Sequence, residues 1–331
     1  MDTTLIIIII GIIIAFLFDF LNGMNDAANS IATIVATKVL TPFQAVLWAA
    51  FFNFAAVFVF HVGVANTVGN GIVQPQIVNE YVIISAIIGA VLWVFFCTKF
   101  GLPISVSHAL IGGLIGPALF FFGTEALVFS GIFKVLLFIV LSPLLGLLLG
   151  YFIMILTMRV FRKANPNKVE HLFRYLQLVS SAVFSLGHGS NDAQKTMGII
   201  TMLLVSAGYL ETFEVPNWVI ISCYTCISLG TLVGGWKVIR TLGDKLTALK
   251  PVQGFCAETA GAVTLIGTAL GGIPVSTTHT ITGSIVGVGV TRRMSAVRWG
   301  TTKNIVWAWL FTIPVAMLMS GGIYWVFTLF I

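Results

Sequence analysis

Apolar runs long enough to cross a bilayer follow one another along nearly the whole chain, separated by short polar stretches. At about 20 apolar residues per span, ten helical crossings are expected: 4–37, 43–66, 80–98, 102–121, 131–158, 172–207, 217–236, 253–270, 274–291 and 303–330. Two of these, 4–37 and 172–207, are too long. At ~1.5 Å per residue each would exceed roughly 50 Å as a straight helix, against a hydrocarbon core of ~30 Å. Each is therefore expected to carry a break, a strong tilt or a re-entrant part near its middle. The segments 102–121 and 274–291 each open at a Gly-x-Pro triplet, and Pro103 and Pro274 suit a first helical turn, where a missing N–H costs little. Hydropathy leaves open whether these two are full spans or re-entrant hairpins. The first run, Leu5–Phe18, has neither a basic flank nor a small-residue cleavage site, so it reads as a span and not a signal peptide.

The polar positions inside these runs are duplicated. Gly23-Met24-Asn25-Asp26-Ala27-Ala28-Asn29 recurs 166 residues later as Gly189-Ser190-Asn191-Asp192-Ala193-Gln194-Lys195. Pro103-Ile104-Ser105-Val106-Ser107-His108 recurs 171 residues later as Pro274-Val275-Ser276-Thr277-Thr278-His279. Five crossings per half turn the second half over relative to the first. The chain is then two inverted-topology repeats, 1–158 and 172–331, joined by a basic cytoplasmic linker at 159–171. Duplicated, interrupted hydrophobic segments point to the substrate site of a secondary transporter. The expected fold is all-α, with about 10–12 transmembrane segments and broken or re-entrant helices at mid-membrane.

Composition agrees. Charged residues make up 8% of the chain and hydrophobic ones 58%, with mean hydropathy +1.05, whereas a soluble domain is about 25% charged. The net charge of +6 does not signal nucleic acid. With the N-terminus outside, 15 of the 17 basic residues fall on the cytoplasmic side, all but Lys134 and Lys195. That is the bias of a multi-pass membrane protein with both termini outside. Cys223 and Cys226, three apart in an apolar run, read as packing residues.

Polar groups are costly inside lipid and so mark a path or a site. Hydroxyls at two helix starts form an anion cradle, helped by free N–H groups and the helix dipole. Ser105, Ser107 and His108 supply one side; Ser276, Thr277, Thr278 and His279 supply the other. Asn25, Asp26 and Asn29, with Asn191, Asp192 and Gln194, suit a hard cation such as Na+, or a proton, held at Asp26 and Asp192. Lys195 stands where the first copy has Asn29; it either pairs with Asp192 or contacts an anion. Glu258, whose first-half counterpart is Ile87, is a further coupling candidate. Asp19 is either part of an ion path or a buried hydrogen-bonding group; His188 borders the site; and His61 reads as interhelical glue.

These residues resemble the PiT-type inorganic phosphate transporters. The paired Gly-x-Asn-Asp motifs, residues 187–198, Pro-Val-Ser-Thr-Thr-His at 274–279 and the tail with Arg292-Arg293, Trp299, Trp309 and Pro314 carry the likeness, and Gln194-Lys195-Thr196-Met197 resembles the bacterial branch. The resemblance implies phosphate uptake by Na+ or H+ symport through alternating access, with no enzymatic activity and no cofactor besides the coupling ion. It places phosphate and the coupling ion at the duplicated motifs, here read as phosphate at the Ser/Thr/His residues and Lys195 and the coupling ion at the Asn/Asp residues; Glu258 lies outside those motifs and is a coupling candidate on its own. The same resemblance implies the bacterial inner membrane. Val106 departs from it, standing where the second copy has Thr277. A carrier for another oxyanion such as sulfate is the alternative, although phosphate retains a proton to give to an aspartate and sulfate does not. The expected partners are phosphate, Na+ or H+ and the lipid bilayer; a homodimer is among the assemblies left open.

Overall fold

The computed structural model describes residues 3–59, 62–74 and 79–330, so His61 lies outside the described residues. Among them the fold is all-α. Six helices fill the first half: α1 (Thr3–Ala36), α2 (Pro42–Ala55), α3 (Gly63–Gly71), α4 (Glu80–Phe100), α5 (Val106–Phe122) and α6 (Phe129–Val160). Six more follow: α7 (Pro166–Ser206), α8 (Asn217–Val233), α9 (Trp236–Asp244), α10 (Pro251–Leu270), α11 (Thr277–Val290) and α12 (Trp299–Phe327). The two series match in order and closely in length. For example, α3 and α9 have nine residues each, and α4 and α10 have 21 and 20.

Packing is reciprocal as well. Helix α1 lies against α8, and α7 against α2; α5 lies against α12, and α11 against α6. Glycines permit these approaches. Gly112 and Gly116 of α5 face the backbone carbonyls of Ile313 and Met317, while Gly283 and Gly287 of α11 face those of Pro143 and Leu147. Small residues four apart let two backbones meet, which is how helices associate where lipid removes the hydrophobic drive. The apolar side chains left over point outward. On α1 they are Ile6, Ile10, Ile13 and Leu17, while Ile8, Ala15 and Phe18 are buried on the opposite side.

The structure refines three sequence expectations. Of the break, strong tilt or re-entrant part expected of the long segments, a break at the Asn-Asp motifs is not found: α1 and α7 run unbroken for 34 and 41 residues. Gly23 and Gly189 are not hinges; a side chain on either would strike the backbone of Ile227 in α8 or Asn53 in α2. The breaks lie instead in 43–66, divided between α2 and α3, and in 217–236, where α8 and α9 meet at 73°. Second, Pro103 and Pro274 do not open helices. Helix α5 starts after the N-cap Ser105 and α11 after Ser276, so both prolines sit in short extended links. Third, by length and composition alone, α1, α4, α6 and α12 among the described residues are long and apolar enough to span, or six units counting each bent pair as one. Helices α7 and α10 have the length but carry Asp192, Lys195, Gln177 and Glu258, all buried against other helices. Helices α5 and α11, at 17 and 14 residues, are short for a ~30 Å core.

Candidate functional site

Because α1 and α7 are continuous, their Asn-Asp motifs present side chains and not unwound backbone. Asp26 and Asn29 are one turn apart on α1, and His188, Asp192 and Lys195 follow one face of α7. The first turns of α5 and α11 bring Ser107, Thr277 and Thr278 to the same place. Thr277 Oγ1 lies 3.3 Å from Asp26 Oδ2 and 3.1 Å from Asp192 Oδ2, and Thr278 Oγ1 lies 3.3 Å from Asp26 Oδ1. Asn29 Nδ2 donates to Thr278 Oγ1 at 2.9 Å and to Thr277 Oγ1 at 3.2 Å. The Lys195 ammonium donates to Asp192 Oδ1 at 2.5 Å, Ser107 Oγ at 2.5 Å and the Val275 carbonyl at 2.9 Å. Asp26, Asp192 and Lys195 are each no more than 3% exposed, so the centre is closed to solvent. The surface grooves are elsewhere; the one between Pro143, Leu147, Val286 and Trp309 is apolar and faces outward.

Ser105 and Ser276 act as N-caps, accepting from the His108 and His279 N–H groups at 3.2 Å. The N–H groups ahead of those, in the same first turns, have no acceptor within their helices. The two helix starts meet. The rings of His108 and His279, which occupy equivalent places, touch edge-on with centroids 4.8 Å apart. His279 also stacks on Trp309 at 3.8 Å, and its Nδ1 lies 3.3 Å from the Ile139 carbonyl, so it is held by α6 and α12. Two dipole ends with hydroxyls converging on one point suit an anion.

Two carboxylates meet at that point, with the Lys195 ammonium beside one of them. Asp26, His188 and Asp192 bring ligand atoms within 4.8 Å of one another. Two like charges ~4 Å apart repel by about 4 kcal/mol even at an effective dielectric of about 20. His188 Nδ1 lies 3.0 Å from Asn53 Oδ1, while Asn53 Nδ2 donates to Thr231. An amide oxygen accepts, so Nδ1 carries a proton; Nε2 faces Asp192 Oδ2 at 3.2 Å. The carboxamide oxygen of Asn29 is also buried without a partner. A set of oxygens lacking donors is what a hard cation requires.

Some expected site residues lie apart from this centre. Asn25 turns to α4, donating to Thr98 Oγ1 at 2.7 Å, and Asn191 turns to α10, donating to the Leu265 carbonyl at 3.0 Å. Gln194 caps the start of α3, its Oε1 accepting from Val64 N–H at 2.9 Å. Glu258 forms a second buried polar centre, tying α10 to α1 and α7 by accepting from Thr33 at 2.6 Å, Gln177 at 2.9 Å and Ser180 at 2.5 Å. Asp19 accepts from Thr196 at 2.9 Å through Oδ1, and its Oδ2 is unpartnered. Sequence reasoning missed Asn53, Thr33, Gln177 and Ser180. Asn53 alone carried a signal, as a single amide in an aromatic run. Ser107 bonds Lys195 and not His108, so no hydroxyl–imidazole pair for covalent catalysis is present among the described residues.

The profile of the phosphate transporter family matches residues 22–320. A probable low-affinity inorganic phosphate transporter of Rhizobium meliloti is 53% identical over 87% of this chain and 86% of its own length. The Bacillus subtilis protein of the same description is 39% identical over 87% of each chain. A solved structure described as the sodium-dependent phosphate transporter superposes with TM-score 0.88 at 28% identity, covering 98% of this chain and all of its own. These relatives are named for phosphate and as transporters; none of the names speaks for sulfate or for an enzyme.

Proposed function

The chain belongs to the phosphate transporter family, and from that premise we propose that it imports inorganic phosphate by cation symport, using the centre between α1, α5, α7 and α11. The observation that carries this reading is the convergence of two hydroxyl-bearing helix starts on a pair of buried carboxylates. The anion is held by Ser107, Thr277 and Thr278 together with the first-turn N–H groups. The coupling cation, Na+ or H+, is held at Asp26 and Asp192. Cation and anion neutralise each other there, so neither is stable in the dry site without the other, and that mutual dependence is symport. Phosphate, which keeps a proton near neutral pH, can also donate to a carboxylate. Val106 in place of a second threonine leaves the cradle richer in hydroxyls on the α11 side. Glu258, surrounded by three donors, is a second candidate ion site nearer the 159–171 linker.

The matching helix series and reciprocal packing support an inverted repeat of 1–158 and 172–331, with the pseudo-twofold passing between His108 and His279. Alternating access then exposes the same closed centre to either side. In a bacterial cell the protein lies in the inner membrane with both termini outside. The experiment is radiolabelled phosphate uptake into proteoliposomes, with sodium and proton gradients imposed separately. Accumulation driven by at least one gradient is expected. Uptake that merely equilibrates, whichever gradient is imposed, would show a passive carrier and end the symport reading.

A further inference from the structure

The two copies of the Asn-Asp motif differ at one position of the centre, and the structure shows both residues at the same task. Asn29 in α1 donates to Thr278 of α11; Lys195 in α7 donates to Ser107 of α5, the residue equivalent to Thr278. One copy makes this bond with a neutral amide and the other with an ammonium. That ammonium also lies 2.5 Å from the carboxylate of its own copy, Asp192, and 2.9 Å from the Val275 carbonyl. All three of its protons are thereby used on three oxygens: one anionic, one hydroxyl and one backbone carbonyl. Such an oxygen set also suits Na+. In the first copy Asp26 has no ammonium; its neighbours there are hydroxyls, and the Asn29 amide oxygen is left without a partner.

We propose that Lys195 is a resident substitute for one of the two cations that a symmetric centre would need. The centre then takes one mobile cation, at Asp26, where a chain with asparagine in both copies would take two. Resting on the cation-coupled phosphate reading above, this assigns Lys195 primarily to charge balance at Asp192, with all its donors engaged before any anion arrives. It also makes position 195 a determinant of how many ions accompany each phosphate.

The test is Lys195→Asn in the full-length purified protein, which gives the second copy the residue of the first. Binding of radiolabelled sodium is measured with choline as the replacement cation, with and without phosphate. Lys195→Asn is expected to bind one more sodium ion per protein than the wild type. Its phosphate affinity should fall at least about 10-fold in choline and recover in sodium, with the slope of log affinity on log sodium larger by one. An unchanged sodium count and slope, or a loss of affinity that sodium does not restore, overturns the proposal. Failure of the wild type to bind phosphate at any sodium level would instead overturn the phosphate reading and leave the sodium count to decide the role of Lys195. If Lys195→Asn does not fold, Asp26→Asn in the otherwise unaltered chain decides. Sodium binding that persists in this variant and is removed by adding Asp192→Asn would show a mobile ion where Lys195 is assigned.

Discussion

Asp26 and Asp192 hold matching places on α1 and α7, yet their surroundings differ. Asp192 has the Lys195 ammonium at 2.5 Å, whereas the groups that hydrogen-bond Asp26 are the hydroxyls of Thr277 and Thr278. Removing one partner of a buried ion pair typically costs ~3–5 kcal/mol, since the other charge is left uncompensated. Asp192→Asn should therefore lower the Tm of the purified protein markedly, while Asp26→Asn, which relieves repulsion, should leave it unchanged or raise it; equal Tm losses would contradict the unequal pairing. Both variants are expected to lose gradient-driven accumulation in proteoliposomes, and Asp26→Asn should retain some phosphate exchange through the hydroxyls. At the cradle, Ser107→Ala and Thr278→Ala each remove a hydroxyl from a dry site. A hydrogen bond to a charged group is worth ~1.5–3 kcal/mol, so the phosphate dissociation constant should rise about 10-fold or more. Unchanged affinity in both variants would move the anion elsewhere.

At the scale of elements, α5 and α11 owe their position to glycines that let α12 and α6 approach. Gly116 faces the Met317 carbonyl and Gly287 the Leu147 carbonyl, in equivalent crossings. A leucine at either place would force the helices apart, and overpacking costs typically ~1–3 kcal/mol. Gly116→Leu and Gly287→Leu should lower Tm by similar amounts and displace the same cradle from opposite sides, weakening phosphate binding in each; a variant that keeps wild-type affinity would show that its helix start is not part of the cradle. Helix α10 carries one carboxylate, Glu258, which accepts hydrogen bonds from both α1 and α7. If Glu258 holds a coupling ion, Glu258→Gln should abolish accumulation while phosphate binding persists; loss of binding together with a fall in Tm would identify a structural tie instead.

For the whole molecule, the proposed inverted repeat would set the two helix series in opposite orientations in the bilayer. Asn70 near the end of α3 and Asn167 at the start of α7 are both exposed. In a cysteine-less background, single cysteines at these positions should react with an impermeant reagent from opposite sides, Asn70 from outside and Asn167 from the cytoplasm. Labelling of both from one side is incompatible with the inverted repeat.

The apolar runs and duplicated motifs were sufficient to place the chain in a membrane, to show an all-helical architecture and to mark Ser107 and Thr278 as anion-binding candidates and Asp26 and Asp192 as cation-binding ones; that the two sets meet was decided by tertiary packing. Hydropathy and repetition are properties of the chain itself, and lipid allows few ways to fold them. Which segments bend lay beyond that reach. Gly23 and Gly189 are as apt for a hinge as for a close crossing, and the choice is made by the carbonyls of Ile227 and Asn53 on other helices. The partner of Lys195 was open for the same reason: Asp192 is three residues away, but Ser107 and Val275 are 88 and 80 residues away. The donors around Glu258 were invisible, since threonine, glutamine and serine in helices carry no periodic signal until α1, α7 and α10 meet. Local pattern sets what each segment is; long-range contact sets which polar groups find one another, and in a dry interior that pairing determines where charge can be held.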